Sequence, residues 1–261
     1  MDEEIKTLAC KTVDAIYRKI KRASKTEFLK FNNNIGIGAD GTITKYVDKI
    51  AEDAALNVIN KSKNNVNVLS EEIGFIDNNA EYTFVLDPVD GTRNAARGIP
   101  FYSVSLAIGK KQINDVEYGI VKNIPTGDVF VAEKGIGAFY NNKRIYVPDV
   151  PDKELLSSLS LGKNFDRKTI KLAKKDKVRS LGSASLEMCM VALGALDFYV
   201  IGKEYLRVVD IAASTLILRE AGGIVTNIYG EELNLPFDLN EHTSVVAACN
   251  MDLIKKIISQ K

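Results

Sequence analysis

The segment Leu86-Asp-Pro-Val-Asp-Gly-Thr-Arg-Asn94 organises the interpretation of the whole sequence. It continues the apolar run of residues 82–85, which predicts a buried strand. Asp87 and Asp90 therefore come where that strand is expected to end. The proline between them fixes φ and the glycine after them permits a sharp turn, so the corner is rigid. Two carboxylates aimed at one point from a rigid corner favour a bound hard cation.

The bulk composition is that of an ordinary globular protein. The chain has 261 residues, and its 35 basic and 34 acidic side chains leave a formal charge of +1. No bulk field therefore favours nucleic acid or an anionic membrane as a partner. No apolar run approaches the roughly 20 residues of a membrane span, and the acidic first residues lack the layout of a signal peptide. We expect a cytoplasmic protein whose partner is a small molecule.

Cysteine and histidine usage narrows the chemistry. Cys10, Cys189 and Cys249 are odd in number and widely spaced, which favours buried thiols over a disulfide framework or a zinc site. His242 is the one histidine in the sequence. Mechanisms that need a Ser-His-Asp relay or several imidazole ligands therefore depend on that residue or are excluded. Carboxylates are left as the main candidates for catalysis.

The first part of the chain predicts two helices separated by a loop. Residues 2–30 carry apolar side chains at helical spacing, which predicts an amphipathic helix covering a sheet. Residues 31–43 are rich in Gly and Asn and predict a mobile loop or a loose hairpin. Thr44 is the expected N-cap of a second helix over residues 45–60. A short strand over residues 66–69 follows.

The second part predicts a β-meander followed by alternating strands and helices. Residues 101–147 alternate β-rich runs with Gly and Asn turns, which predicts antiparallel strands. Residues 148–151 predict a hinge, and the strands beyond it alternate with helices, including a strongly apolar one over residues 208–221. We expect two α+β lobes, residues 1–150 and residues 151–261, in which sheets pack between helices.

Four acidic side chains stand at the edges of apolar elements, namely Glu71, Asp87, Asp90 and Asp210. Each acid by itself is also explained as a solvated or capping carboxylate. Asp48, in the first turn of the second predicted helix, is likewise explained by the helix macrodipole. As a set, the four acids form an all-oxygen ligand group that suits Mg²⁺ or Mn²⁺, whereas zinc prefers nitrogen and sulfur ligands.

Three motifs resemble the inositol monophosphatase and fructose-1,6-bisphosphatase superfamily. They are Asp87-Pro-Val-Asp-Gly-Thr92, the Glu71-Glu72 pair before it and Asp210-Ile-Ala-Ala213 after it. Further matching motifs lie at residues 98–107, 182–189 and 221–225, so the likeness covers nearly the whole chain. It is strongest to the archaeal-type enzymes that hydrolyse both fructose-1,6-bisphosphate and inositol-1-phosphate. The resemblance implies a layered α/β/α/β/α sandwich of the sugar phosphatase type and a homodimer.

The resemblance also implies a metal centre and a water-activating pair. Two or three Mg²⁺ ions, or Mn²⁺ in their place, would be bound by Glu71, Asp87, the Val89 carbonyl, Asp90 and Asp210. Asp48 would pair with Thr92 to activate the attacking water, with Glu72 among the catalytic residues and Asp40 helping to hold a weaker third ion. Physical chemistry agrees with these roles, because a phosphate dianion repels hydroxide unless cations neutralise its oxygens.

Substrate contacts are assigned by the same resemblance. The Gly91 and Thr92 amides would meet the reacting phosphate, as donors at a helix start do. The ring of the substrate would touch Gly182, Ser183 and Ala184, and a second phosphate would be attracted by Arg93, Arg179, Lys203 and Arg207. Lys203 replaces the arginine usual in the archaeal-type enzymes, so it would bind phosphate as a point charge. A surface role for Arg93, which departs from the family, and a structural role for Arg207 are the alternatives.

These observations predict a Mg²⁺-dependent phosphatase that hydrolyses fructose-1,6-bisphosphate and inositol-1-phosphate by attack of metal-activated water. One alternative is a nucleotidase acting on 3'-phosphoadenosine 5'-phosphate. It is disfavoured because no aromatic-rich adenine pocket is evident in the sequence. Another is a non-catalytic regulatory binding protein of the same fold. The near-zero net charge and the full set of metal acids disfavour that second alternative.

Overall fold

The computed structural model describes residues 1–39, 41–148, 154–161, 171–172 and 177–259. Its first elements are helix α1 (Glu3–Thr26), strands β1 (Asn34–Ile37) and β2 (Ile43–Lys45), and helix α2 (Tyr46–Ile59). Both predicted helices are confirmed, and the Gly- and Asn-rich stretch between them is an antiparallel hairpin. The predicted burial of all three thiols was wrong for Cys10, which lies on the exposed face of α1.

Helix α2 begins one residue later than the sequence predicted. Its N-cap is Lys45, whose backbone amide donates a hydrogen bond to the Asp48 carboxylate over 3.0 Å. Thr44, the expected N-cap, donates its hydroxyl to the Glu72 carboxylate. The prediction failed because that hydroxyl finds a carboxylate across the chain, while Asp48 satisfies the helix start from inside the first turn.

An eight-stranded sheet carries the first part of the candidate site. Its order is β10-β9-β8-β7-β6-β5-β3-β4, with β3 parallel to β5 and the other neighbours antiparallel. The strands are β3 (Asn67–Ser70), β4 (Gly74–Ile76), β5 (Thr83–Asp90), β6 (Ser103–Gly109), β7 (Tyr118–Asn123), β8 (Val129–Glu133), β9 (Gly137–Tyr140) and β10 (Lys143–Ile145), and helix α3 (Thr92–Arg97) follows β5. The predicted antiparallel meander is confirmed, because β6 to β10 are neighbours in chain order.

A five-stranded sheet carries the second part of the site, in the order β12-β11-β13-β15-β14. Its strands are β11 (Leu156–Leu159), β12 (Lys177–Arg179), β13 (Phe198–Leu206), β14 (Ile224–Thr226) and β15 (Thr243–Ala248). The accompanying helices are α4 (Ala184–Ala192), α5 (Val208–Glu220) and α6 (Met251–Ser259). Among the described helices, none combines the length and the apolarity that crossing a membrane requires.

Adjacent residues of single strands show how the layers stack. Phe84 of β5 packs in the core under α1 and α2, whereas Val85 packs in the core around α4 and α5. Val245 of β15 belongs to that same central core, and Val246 packs against α6. Neighbouring side chains of a strand point to opposite faces of the sheet, so α4 and α5 lie between the two sheets. The α/β/α/β/α sandwich is therefore confirmed, while the division of the chain at residue 150 stays a prediction.

Register irregularities in both sheets lie beside the site. Strand β5 runs on to Asp90 rather than ending at Leu86, and its pairing with β6 shifts register between Asp87 and Asp90. The pairing of β13 with β15 shifts between Ile201 and Leu206, just before α5 begins. Such irregularities bend a strand and re-aim its side chains. The carboxylates of the motif therefore leave the regular ladder where the chain passes from β5 to α3.

Candidate active site

The predicted metal acids gather where β3 and β5 end and α5 begins. Ser70 pairs in parallel with Leu86, so Glu71, which follows the end of β3, lies beside Asp87 of β5. Asp87 is 2% exposed, although it carries a carboxylate. Asp210 occupies the first turn of α5, at the edge of the central core. Three separate parts of the chain thus bring acids to one region, and their role as metal ligands stays a prediction.

Asp87 lies in the middle of these acids and is buried. Burial, followed by the negative charges of Glu71, Asp90 and Asp210, raises the pKa of Asp87 well above the ordinary carboxyl value. The Val89 amide donates a hydrogen bond to Asp87 Oδ1 over 2.9 Å. Since buried charges are stable only when they are paired or bind a metal, this cluster carries negative charge that a cation would stabilise.

Asp90 is held by the chain segment that opens α4. The Ser183 hydroxyl donates to Oδ2 over 2.6 Å, and the amide and hydroxyl of Ser185 donate to the same oxygen over 2.8 and 2.5 Å. The Ala184 amide adds a longer bond of 3.3 Å to Oδ1. Burial raises the pKa of Asp90 to about 6, and the serine hydroxyls work against that rise. The Asp90 carboxylate therefore joins the end of β5 to the start of α4.

Arg207 lies between two of the predicted metal ligands. Its Nη2 is 2.9 Å from Glu71 Oε1 and 3.1 Å from Asp210 Oδ1, and its amide donates to Asp210 Oδ2 over 2.7 Å. Burial disfavours the charged guanidinium, but Asp210 and Glu71 raise the pKa of Arg207 above its ordinary value. These contacts give Arg207 the structural role that the sequence left open, and its contact with substrate stays a prediction.

The donor set fits a hard divalent cation, although the described side chains do not already enclose one. In the described ranges, no three acidic, histidine or cysteine side chains converge on one point at metal-ligand range. Glu71 and Asp210 face Arg207, and Asp90 faces the serines. The charge in the cluster and the all-oxygen chemistry nevertheless match what Mg²⁺ or Mn²⁺ takes.

Asp48 and Thr92 are brought together by α2 and α3. The Thr92 hydroxyl lies 2.9 Å from Asp48 Oδ1 and 3.0 Å from the carbonyl oxygen of Val89, both of which accept from it. Burial raises the pKa of Asp48 from 3.8 to about 7, and the bond from Thr92 opposes that rise. Glu72 lies close enough to add a repulsive charge. The pair therefore has a carboxyl group that titrates near neutral pH and a hydroxyl that it orients.

The turn between β5 and α3 leaves no room for a side chain at Gly91. Its φ is +88°, and a Cβ there would lie 3.1 Å from the Gly182 carbonyl oxygen and 3.2 Å from that of Phe101. The turn is therefore locked against the segment before α4. Arg93, the next side chain beyond Thr92, is exposed.

The predicted ring contacts lie at the start of α4, next to α3. The Asn94 side chain donates to the Leu181 carbonyl oxygen over 2.7 Å, and Gly182 packs against it. Ser183 and Ala184 are buried and turn their donors to Asp90. Because these donors bind Asp90, contact of Ser183 and Ala184 with a substrate stays a prediction.

The other predicted cations lie on the second sheet and are exposed. Arg179 ends β12 and donates to the Val178 carbonyl oxygen over 3.0 Å. Lys203 belongs to the part of β13 that leaves the ladder between Ile201 and Leu206. Asp40 lies outside the described residues. The predicted roles of all three in binding substrate or a third ion remain predictions.

Two buried glutamates support the site and were missed in the sequence. Glu52 of α2 is 1% exposed and accepts bonds from the Ser70 hydroxyl (2.8 Å) and the Ile73 amide (3.2 Å). It therefore fixes the turn that carries Glu71 and Glu72. Glu187 of α4 accepts bonds from the segment before that helix. The available signal was a carboxylate within an apolar helical stretch, which a surface position does not explain.

Comparisons with known proteins agree over the whole chain. A sequence model of the inositol monophosphatase family matches residues 1–261. The chain is 42% identical over 238 residues to a fructose-1,6-bisphosphatase/inositol-1-monophosphatase of Methanothermobacter thermautotrophicus, covering 86% of this chain and 85% of that relative. A solved structure of a hypothetical protein from Pyrococcus horikoshii, with similarities for inositol-1 monophosphatase, is 32% identical with a TM-score of 0.85, covering 99% of this chain and 98% of that one.

A second kind of relative is longer than this chain. A bifunctional NADP phosphatase/NAD kinase of Methanococcus maripaludis is 41% identical over 253 residues. The match covers 88% of this chain but 44% of the relative. The identity is close to that of the first relative, so overall similarity does not separate the substrates that the two names carry.

Proposed function

Because the chain belongs to the inositol monophosphatase family and is therefore a phosphoric monoester hydrolase, we propose that it is a Mg²⁺-dependent phosphatase acting on fructose-1,6-bisphosphate and inositol-1-phosphate. The observation that carries this proposal is the buried Asp87, surrounded by three further carboxylates, next to the Asp48–Thr92 pair. The first feature suits a cation and the second suits a water molecule. Hydrolysis of a phosphate monoester needs both.

The metal would be held by oxygen atoms from the ends of β3 and β5 and from the first turn of α5. We assign its ligands to Glu71, Asp87, the Val89 carbonyl, Asp90 and Asp210. Bound Mg²⁺ supplies charge neutralisation for the phosphate oxygens and lowers the pKa of a coordinated water. Mn²⁺ has similar ligand preferences and is expected to substitute.

The protein's own part in the reaction is to orient the attacking water and accept its proton. Thr92 donates its hydroxyl proton to ionised Asp48, which leaves the threonine oxygen free to accept a hydrogen bond from water. As the water attacks, its proton passes to the threonine oxygen and the threonine proton passes to Asp48. A carboxyl group with a pKa of about 7 is suited to this task at neutral pH.

We expect binding of the substrate to use the turn at Gly91 and three exposed cations. The amides of Gly91 and Thr92 would donate to the reacting phosphate. Arg93, Arg179 and Lys203 are exposed and would attract a second phosphate group, which favours a bisphosphate. The predicted homodimer and cytoplasmic location accompany this proposal as expectations.

NADP is the second candidate substrate. The Methanococcus maripaludis relative that carries NADP phosphatase in its name is 41% identical, nearly as similar as the fructose-1,6-bisphosphatase/inositol-1-monophosphatase. NADP also presents a phosphate monoester, on its adenosine ribose, so the same metal and water chemistry would apply. We expect the choice between these substrates to depend on the exposed cations Arg93, Arg179 and Lys203 rather than on the acids.

A substrate panel tests the proposal. Purified protein treated with EDTA is assayed for phosphate release from fructose-1,6-bisphosphate, inositol-1-phosphate and NADP, before and after Mg²⁺ is added. We expect Mg²⁺-dependent release from the first two compounds. Asp90→Asn should abolish it, whereas Asp53→Asn, at an exposed aspartate of α2, should not. Release from NADP alone would replace the substrate assignment, and no release from any of the three would overturn it.

A further inference from the structure

We infer that Glu187 is a positioning residue that orients Asp90 through the segment of residues 181–185 and thereby sets the affinity of the site for Mg²⁺. The inference rests on the proposed function, since it assigns Asp90 to the metal. Glu187 itself does not reach Asp90 by a hydrogen bond; its effect passes through backbone amides and through the Ser183 hydroxyl.

Both carboxylate oxygens of Glu187 accept hydrogen bonds from the segment of residues 181–185, and one of them also accepts from strand β11. Oε1 accepts from the Leu181 amide over 3.0 Å and from the Ser158 hydroxyl of β11, and Oε2 accepts from the Gly182 amide over 3.3 Å. Glu187 is 3% exposed and lies in the first turn of α4. One buried carboxylate therefore ties the segment to a helix and to a strand of the second sheet.

The segment is also held from its other side. The Asn94 side chain donates to the Leu181 carbonyl oxygen over 2.7 Å, so Leu181 is fixed through both of its backbone polar groups. Gly182 follows with φ +86°, a conformation that few other residues adopt. The path of the chain into Ser183 is thus set by two side chains, Asn94 of α3 and Glu187 of α4.

The fixed segment delivers its donors to Asp90. The Ser183 hydroxyl, the Ala184 amide and the Ser185 amide and hydroxyl all donate to the Asp90 carboxylate. Ser103 of β6 lies 2.8 Å from the Ser185 hydroxyl oxygen and supports it from the first sheet. A shift of the segment would therefore turn the Asp90 carboxylate, and outer partners of metal ligands commonly control metal affinity in this way.

Burying this second carboxylate near Asp90 is unfavourable by itself. Burial raises the pKa of Glu187, and the negative charge of Asp90 adds to the rise. A glutamine of the same shape would avoid both penalties, but it can offer one acceptor atom and must turn an NH₂ group towards a backbone or hydroxyl donor. The carboxylate is the group that satisfies all three donors at once.

Glu187→Gln is the main test, with Asp197→Asn as a matched control. The Asp197 carboxylate accepts from the Leu156 amide over 2.7 Å at the other end of β11, so it makes the same kind of bond away from Asp90. Mg²⁺ is titrated calorimetrically into EDTA-treated, dialysed protein, and the melting temperature without Mg²⁺ is measured for each variant. We expect Glu187→Gln to weaken Mg²⁺ binding by about tenfold or more, and Asp197→Asn to leave it unchanged.

A second set of variants separates positioning from general damage. Ser183→Ala should weaken Mg²⁺ binding by itself, and combining it with Glu187→Gln should weaken it less than the two separate effects predict, because both act through one hydrogen bond. If Glu187→Gln does not fold, Glu187→Asp keeps the charge but withdraws it by one methylene, and it should still bind Mg²⁺ more weakly than the wild type.

The outcomes are distinguishable from failure of the proposed function. A wild-type protein that binds no Mg²⁺ contradicts the proposed metal site itself. The inference about Glu187 is overturned if Glu187→Gln binds Mg²⁺ as tightly as the wild type does. It is also overturned if Glu187→Gln and Asp197→Asn lose equal Mg²⁺ affinity. In both cases the proposed metal site itself is not contradicted.

Discussion

The Thr92 hydroxyl oxygen lies 2.9 Å from Oδ1 of Asp48, although the two residues are 44 positions apart in the chain. Asp48 is further fixed by the Lys45 amide, 3.0 Å from Oδ2, so its carboxylate cannot rotate freely. The capping role and the catalytic role foreseen for this residue therefore use different oxygens. One oxygen starts α2, and the other holds the threonine.

Replacing Asp48 tests this pair directly. Asp48→Asn keeps the shape but cannot take up a proton, so we expect kcat to fall by about 10²- to 10⁴-fold with fructose-1,6-bisphosphate. Mg²⁺ affinity should stay within a few fold, since Asp48 is not among the assigned ligands. Steady-state kinetics and calorimetry check the two statements, with Asp53→Asn on the same helix as the control. An unchanged kcat in Asp48→Asn would remove Asp48 from the mechanism.

The pH dependence of stability follows from the buried acids. The pKa of Asp48 rises from 3.8 to about 7 and that of Asp90 to about 6, so the folded protein holds protons that the unfolded chain has released. The stability from these protonated groups is full below pH 3.8 and is lost as pH rises through the folded pKa values. We expect EDTA-treated protein to become less stable between pH 5 and about 7.5, by urea denaturation, and Mg²⁺ to oppose the loss more strongly at the higher pH. A stability that rises over this range in the EDTA-treated protein would contradict the assignment.

Much of the site was predictable because one continuous segment carries it. Residues 86–94 hold two acids, a rigid turn and Thr92, and local sequence determines their geometry. The contact of Arg207 with Glu71 joins residues 136 positions apart and depends on how the sheets stack, which no local pattern reports. Glu52 and Glu187 bind mainly backbone amides and hydroxyls, and such partners leave no charge pattern in the sequence. Thr44 was placed as an N-cap for the same reason, since its true partner, Glu72, is distant in sequence.

Arg207 should control the stability of the acidic cluster. Its side chain is 13% exposed and contacts the half-buried Glu71 and the buried Asp210, so Arg207→Gln removes a cation from two carboxylates that solvent screens poorly. We expect the free energy of unfolding of EDTA-treated protein to fall by about 3–5 kcal/mol. Mg²⁺ should restore part of the loss, because a cation at the cluster neutralises the same charges. The stability of Arg207→Lys should lie between those of the wild type and Arg207→Gln, because lysine keeps the charge but cannot bind two carboxylates with a planar guanidinium.

The control for Arg207 is an exposed ion pair. Lys177 and Glu154 lie 2.8 Å apart with both side chains largely exposed, so Lys177→Gln should change stability little. Denaturant titrations of the three variants at one pH, with EDTA and with Mg²⁺, give the comparison. Equal stability of Arg207→Gln and Lys177→Gln in EDTA would show that Arg207 does not neutralise the cluster.

Substitution of three glycines distinguishes two constraints on Gly91, namely its positive φ and its close packing. Gly91 has φ +88°, and a Cβ there would lie 3.1 Å from the Gly182 carbonyl oxygen. Gly135 has φ +75°, but a Cβ there would meet nothing within 4 Å. Gly36 has neither constraint. Alanine at residue 36 should be neutral, and alanine at residue 135 should cost about 1 kcal/mol for its backbone conformation. Gly91→Ala should cost more than Gly135→Ala, because it also pushes the turn away from the segment that holds Asp90. Mg²⁺ affinity should therefore fall in Gly91→Ala and stay unchanged in the other two variants. Equal Mg²⁺ affinity of all three variants would mean that the close packing of Gly91 does not shape the metal site.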